Sequence, residues 1–104
     1  MQPMSGYKAK CLQDVRLTKH AQVRMQQRAI PEIVVCLLVA HGAKKHDHRG
    51  AVVRYFDKAS RHRLRANIGL EAFRRIEPKF NAYLVEQDGM IITVGRRSAH
   101  LYNR

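Results

Sequence analysis

Residues 80–97 are typical of a tight β-hairpin. Asp88-Gly89 separates two stretches that are rich in strand-forming residues, and this dipeptide readily adopts the left-handed conformations that a two-residue turn needs. The turn sets the register of the two strands, so that alternate residues share a face. The face that we expect helices to cover carries Tyr83, Val85, Met90, Ile92 and Val94.

The opposite face of this hairpin is predicted to form a shallow groove. Ala82 and Gly95 are small enough to make its floor, and Arg97 stands at its end. The other side chains of this face are those of Leu84, Ile91 and Thr93. An ordinary solvated sheet face is the alternative.

Two further segments carry weaker patterns. Residues 43–57 predict a second hairpin that turns near Arg49-Gly50, because residues 51–56 are rich in β-branched and aromatic side chains. In residues 58–79, Leu70, Phe73 and Ile76 share one helical face before Pro78, which predicts a short helix. The rest of that segment is left unassigned.

A first helix is predicted to begin after Thr18 and to end near Arg28. Thr18 is a good N-cap residue, and Leu17, Ala21 and Met25 make an apolar row at four-residue spacing.

A second helix is predicted over the apolar residues 33–40. Pro31 suits the first turn of a helix, Glu32 suits its positive end, and Gly42 follows the run. A buried strand is the alternative, and either element belongs to the core.

These elements together predict an α+β fold with two N-terminal helices packed on one face of a small antiparallel sheet. The 104 residues fit a single domain, residues 17–104, preceded by an N-terminal arm or edge strand, residues 1–16. A hydrophobic content of 45% predicts a packed core. Because a chain of this size buries a modest core, a homodimer interface would add stability.

The charge of the chain favours a nucleic-acid partner. Twenty lysines and arginines against eight acids give a formal net charge of +12, and such an excess attracts phosphate polymers by releasing counterions. Acidic proteins and anionic lipid headgroups are the alternatives. The densest basic stretch contains Lys44, Lys45, Arg49, Arg54, Lys58, Arg61, Arg63 and Arg65.

Other classes of protein lack support in the sequence. Two cysteines do not make a disulfide framework, and Cys36 in an apolar run predicts a buried free thiol and a cytoplasmic protein. Residues 33–40 are too short to span a bilayer, so no membrane association is expected. His46-Asp47-His48 lacks a third and a fourth metal ligand, and no cofactor motif occurs, so we expect neither metal nor cofactor.

Two groups of residues are candidates for chemistry on a phosphodiester. His20, Arg24 and Arg28 lie along one side of the first helix, where a neutral imidazole beside guanidiniums suits deprotonation of a ribose 2′-hydroxyl. A solvated helix face is the alternative. The second group follows the last strand and contains Arg96, Arg97, Ser98, His100, Tyr102 and Arg104, which suit phosphate binding or base stacking unless this end is a plain basic tail.

Three segments also carry a resemblance to known proteins: His20-Ala21-x-x-Arg24-x-x-x-Arg28-x-Ile30, the apolar helix before Gly42, and residues 88–94. Together they resemble a family of small uncharacterised bacterial domains that is similar to the RelE/ParE-like toxin superfamily. The resemblance implies a curved antiparallel sheet with helices on one face. The other face would then hold messenger RNA, often within the ribosome, and an acidic antitoxin would be a partner.

The resemblance also suggests a reaction, which is metal-independent RNA cleavage by 2′-hydroxyl attack. His20 is the candidate base, and His100 or Tyr102 is the candidate acid or stacking group. The candidate nucleic-acid ligands are Arg24, Arg28, Arg54, Arg61, Arg96 and Arg97. The alternatives are a non-catalytic nucleic-acid-binding or protein-interaction module and a ParE-like toxin that acts on a protein. Two departures from the family are Ala29, where glycine is expected, and residues 58–79, which have no counterpart.

Overall fold

The computed structural model describes residues 15–97, which form an α+β fold of four α-helices and five strands. The predicted α+β class is confirmed, but this part of the chain contains four α-helices, one more than the two N-terminal helices and the short helix that the sequence predicts. A short 3-10 helix, Glu77–Lys79, precedes the last hairpin. The elements in chain order are β1 (Arg16–Leu17), α1 (Lys19–Gln27), α2 (Glu32–His41), β2 (Ala43–His46), β3 (Ala51–Tyr55), α3 (Lys58–Ile68), α4 (Leu70–Ile76), β4 (Ala82–Gln87) and β5 (Met90–Arg96).

The strands form one sheet in the order β1-β5-β4-β3-β2. Strand β1 is parallel to β5, and the other neighbours are antiparallel, so the sheet is mixed rather than purely antiparallel. The backbone N–H of Thr18 donates to the carbonyl of Ile91 at 3.0 Å. This bond places the start of α1 beside β5, and α1 packs mainly on that strand.

The turn of the last hairpin is confirmed, but the prediction of its faces holds only for the end of β5. Val94 is buried in the core as predicted, whereas β4 buries Ala82 and Leu84 instead of Tyr83 and Val85. Asp88 and Gly89 have φ values of 53° and 80°. The register of the two strands then shifts by one residue: Glu86 pairs with Ile91, but the next residue of β4, Val85, pairs with Thr93. The extra residue on β5 is Ile92, and it reverses the facing of every later residue of that strand.

This shift also removes the predicted groove. The residues of β4 and β5 that belong to the hydrophobic core are Ala82, Leu84, Ile91 and Val94. Gly95 pairs with Tyr83 on the opposite face, where a Cβ at position 95 would lie 2.8 Å from the Tyr83 hydroxyl oxygen. Ala82 and Gly95 therefore lie on opposite faces and cannot form one floor.

Helices α1 and α2 have the predicted bounds to within two residues. The Thr18 hydroxyl accepts a hydrogen bond from the backbone N–H of Ala21 at 3.1 Å, as an N-cap does. In α2, residues 34–38 are all buried, which explains its lack of a polar face. Gly42 ends α2 with an ordinary φ of −66°. Glycine is needed there because a Cβ would lie 2.6 Å from the Leu38 carbonyl oxygen.

Residues 58–79 form the helical unit that the sequence pattern predicted only in part. Asp57 caps α3, since its carboxylate accepts the backbone N–H of Ser60 at 2.8 Å and its own N–H donates to the Ser60 hydroxyl. Leu64 of α3 and Ile76 of α4 join the core together with Phe80. The predicted short helix exists as α4, although Leu70 is exposed rather than buried.

Two further observations bear on the sequence predictions. Cys36 is buried and disulfide-bonded, so the prediction of a free thiol is wrong. The only other cysteine of the sequence, Cys11, lies outside residues 15–97. Among the described residues, no helix combines the length and the hydropathy that a membrane span requires.

Candidate nucleic-acid interface

The strongest concentration of exposed positive charge along one element lies on α3. Four side chains of this helix, Lys58, Arg61, Arg63 and Arg65, carry permanent positive charges and are exposed, and the helix contains no acid. Arg61 and Arg65 are four residues apart and share one side of the helix with Lys58. Because Ser60 and Leu64 are buried on the inner side, this cationic side faces outward.

A cleft of about 210 Å³ lies between this side of α3 and the segment that contains α4 and the 3-10 helix. Its walls carry several cations, one carboxylate and aromatic rings. The lining residues are Lys58, Arg61, His62, Arg65, Phe73, Glu77 and Phe80.

Aromatic rings connect this cleft to the core. The Phe80 ring packs against Phe56 and Phe73, with centroids 5.2 Å and 5.1 Å apart. Phe56 is fully buried, whereas Phe73 is half-buried and lines the cleft. One ring at the surface is therefore held in place by rings beneath it.

Arg61 is also fixed in position. Its guanidinium carbon lies 5.8 Å from the Phe80 centroid, within range of a cation–π interaction, and its Nε donates to the Asp57 carbonyl at 3.3 Å. Two independent contacts thus hold a positive charge beside the cleft. A guanidinium held in this way loses less conformational entropy when it binds an anion.

The charge at the start of α3 is set by Asp57. Burial raises the pKa of its carboxyl, but hydrogen bonds from the Ser60 backbone and hydroxyl, together with the Arg63 charge, lower it more, so that the net pKa lies below 3.8. The carboxylate stays ionised at neutral pH and stabilises the first turn of α3. It therefore supports the helix that displays the cations.

The three candidate residues of α1 occupy different environments. His20 and Arg28 are exposed, whereas Arg24 is half-buried. The Nε atom of Arg24 is buried, with no hydrogen-bond partner among the described residues. Helix α1 begins beside Ile91 of β5. Beyond its other end, the carbonyl of Ala29 accepts a hydrogen bond from the Lys79 ammonium at 2.9 Å.

Arg54 lies in an internal ion pair rather than at the surface. Its Nε is paired with the Glu86 carboxylate, and its Nη1 donates to the Val39 carbonyl at 2.9 Å. Only 15% of its side chain is exposed. These contacts join β3, β4 and the end of α2, so we exclude Arg54 from the interface.

Arg97 is half-buried at the end of β5. Its guanidinium carbon lies 5.1 Å from the Tyr55 ring centroid, and its Nη2 donates to the Phe56 carbonyl at 2.8 Å. Arg96 pairs with Ala82 and is exposed. The other four candidates of this group, Ser98, His100, Tyr102 and Arg104, lie outside the described residues.

His20 lies in the first turn of α1, and Arg97 follows the end of β5. The helix that carries His20 begins beside Ile91, and Arg97 follows β5 six residues later, which corresponds to roughly 20 Å of strand. Arg61 lies on a third element, α3. The start of α1 and Arg97 therefore lie toward opposite ends of β5.

A larger cleft of about 800 Å³ lies between β1, α1 and the turn before α2. Leu17, Met25 and Ile30 are among its lining residues, and Glu32 is its single charged one. This lining does not suit a phosphate. Within residues 15–97, no group of three metal-ligating side chains occurs either, and the Asp47 carboxylate accepts the Arg49 and Ala51 N–H groups of its own turn.

The sequence interpretation named Arg61 as a nucleic-acid ligand and placed Lys58 and Arg65 in the densest basic stretch, but it assigned no site role to the other lining residues, which are His62, Phe73, Glu77 and Phe80. A readable pattern was present, because Asp57 and Ser60 have the spacing of a capping pair and Leu64 follows at a core position. The partner side chains Phe73, Glu77 and Phe80 have no such signal, since the fold of α4 against α3 brings them there. Comparisons with models of protein families, with curated proteins and with solved structures found no match for this chain.

Proposed function

We propose that this chain binds RNA through the outer side of α3 and the adjoining cleft. The observation that carries the proposal is the set of exposed cations at positions 58, 61 and 65 on a helix without acids, beside a half-buried aromatic ring. Cations at this spacing neutralise successive phosphates and release counterions. The net charge of +12 and the resemblance to RelE/ParE-like toxins support the same partner.

The aromatic lining favours unpaired RNA over a lipid surface or an acidic protein. Phe73 lines a cleft that also contains Arg61 and Arg65, and single-stranded RNA is bound by stacking bases on such rings while cations follow its backbone. A lipid headgroup or an acidic side chain has no aromatic face to stack.

Fluorescence anisotropy with a labelled single-stranded RNA tests this proposal over a range of salt concentrations. Three phosphate contacts predict that the logarithm of the affinity falls with the logarithm of the salt concentration with a slope of about −2. The chain should show no measurable binding to vesicles of neutral lipid at the same salt concentrations. Absence of RNA binding in dilute buffer would exclude the proposal and favour the protein-interaction alternative.

A pair of charge-reversal variants locates the interface. Arg61→Glu with Arg65→Glu should weaken RNA binding more than tenfold, because two phosphate contacts become repulsive. Arg74→Glu with Arg75→Glu makes the same change of net charge on the exposed side of α4. It should weaken binding about threefold or less through long-range charge alone. Equal losses in both variants would show that net charge, and not α3, determines binding.

RNA cleavage is the second candidate function. It is favoured by Arg97 against Tyr55 at the end of the sheet, a guanidinium and a phenol ring of the kind that RelE-like toxins use. Incubation with RNA in chelator, alone and with translating ribosomes, should yield ends with 2′,3′-cyclic phosphates, and Arg97→Lys should reduce them. Cleavage unchanged in Arg97→Lys but lost in His20→Ala would assign the site to α1. Absence of cleavage with intact RNA binding would leave a binding module.

A further inference from the structure

We infer that the cleft between α3 and α4 binds one unpaired guanine base of the RNA. The inference rests on the RNA binding proposed above and adds the identity of the base. The cleft is smaller than the roughly 300–1,000 Å³ of pockets that enclose drug-sized ligands. Its size suits a single base whose ribose and phosphate remain outside.

The face of the base is recognised by the aromatic lining. Phe73 lines the cleft and is backed by Phe80, which is backed in turn by the buried Phe56. The guanidinium of Arg61 beside Phe80 adds a second flat group. Aromatic rings and guanidinium planes are the usual stacking partners of bases that have left a helix.

The edge of the base is recognised by Glu77, the single acid that lines the cleft. An ionised carboxylate accepts hydrogen bonds and donates none. Guanine presents two adjacent donors on its Watson–Crick edge, N1–H and the N2 amino group. Adenine and cytosine each place an unprotonated ring nitrogen beside their amino group, and uracil places carbonyl oxygens on both sides of N3–H. A carboxylate is repelled by these acceptors, so guanine fits best.

The cations around the cleft bind the phosphates that flank this base. Lys58, Arg61 and Arg65 lie on α3 at successive turns, and Arg61 and Arg65 are about 6 Å apart along the helix axis. The phosphates therefore lie along α3 while the base between them enters the cleft. This arrangement gives Glu77 a role that the cations cannot fill, because charge neutralisation alone does not distinguish bases.

Binding of short oligouridines that contain one central guanosine, adenosine or cytidine tests the inference. The guanosine oligomer should bind about tenfold more tightly than the others, as expected for a hydrogen-bonded charged acceptor. A duplex that pairs the same guanine should lose this advantage, because its Watson–Crick edge is occupied. Equal affinity for all three single strands would overturn the inference.

Two variants of matched charge identify the acceptor. Glu77→Gln should reduce the guanosine preference to about twofold or less, while overall RNA affinity stays equal or rises because a negative charge is lost. Glu71→Gln removes an exposed acid on α4 outside the cleft, and it should leave the preference unchanged. A guanosine preference that survives in Glu77→Gln would also overturn the inference.

A third variant tests the stacking ring Phe73. The results also distinguish a failure of the base assignment from a failure of the proposed RNA binding. Phe73→Leu should weaken single-stranded RNA binding about fivefold or more and duplex binding little. If the chain binds no RNA, the proposed function fails. If it binds RNA through Arg61 and Arg65 without any preference for guanosine, only the base assignment fails.

Discussion

Arg54 and Glu86 form an ion pair across β3 and β4, with side chains 15% and 23% exposed. The pair lies diagonally across the two strands, next to the fully buried Leu84. The Arg54 guanidinium also closes the end of α2 through the Val39 carbonyl. A cation that sequence pattern assigns to the surface is thus part of the link between sheet and helix.

Arg54→Met is expected to lower the free energy of unfolding by about 2 kcal/mol. Breaking a fully buried pair costs about 3–5 kcal/mol, and the residual solvent exposure of this pair reduces that cost. Urea unfolding measures the change. The matched control is Arg75→Met, which breaks the exposed pair with Glu71 and should cost about 0.5 kcal/mol or less. A similar small effect in both variants would contradict this role of Arg54.

Ala29→Gly is expected to stabilise the protein by about 0.5–1 kcal/mol. Ala29 has a φ of 53°, a left-handed conformation that costs a residue with a Cβ about 1–2 kcal/mol. The greater backbone entropy of glycine in the unfolded chain offsets part of this gain. Thermal unfolding measures the shift, and a lower midpoint for Ala29→Gly would contradict the prediction.

Gly42→Ala is expected to destabilise the protein by about 1–3 kcal/mol. The φ of Gly42 is ordinary, but the added methyl group would lie 2.6 Å from the Leu38 carbonyl oxygen, and a backbone atom cannot move aside as a side chain can. Denaturant unfolding measures the loss. Gly50→Ala distinguishes a steric clash from backbone strain. A Cβ at position 50 would meet no atom within 4 Å, so this substitution adds only the strain of a φ of 89°.

The stability of the fold is expected to fall as the pH falls below about 6.5, in part because of His41. Burial and then the nearby Arg63 charge lower the pKa of His41 from 6.5. The unfolded chain therefore takes up a proton at a pH where the folded chain does not, and protonation favours unfolding. Urea unfolding at a series of pH values checks this effect. His41→Gln should flatten the dependence between neutral pH and the lowered pKa, and an unchanged slope would exclude His41 as its source.

Local patterns in the sequence determined the elements whose boundaries depend on a few neighbouring residues. The Thr18 cap and the Asp88-Gly89 turn are confirmed at the positions predicted for them. Each is set by a hydrogen bond or a backbone conformation within about four residues, which a sequence displays directly. The positive charge of the chain is likewise a property of composition alone.

Only the tertiary structure decided which faces and which cations are available. The extra residue Ile92 reverses the face on which the later residues of β5 lie. The ion pair with Glu86 buries most of the Arg54 side chain, so that Arg54 does not belong to the basic surface. Packing of α4 against α3 then places Phe73 and Glu77 beside Arg61. These relationships join residues that are distant in the chain, and their energies depend on burial and pairing, which no local pattern contains.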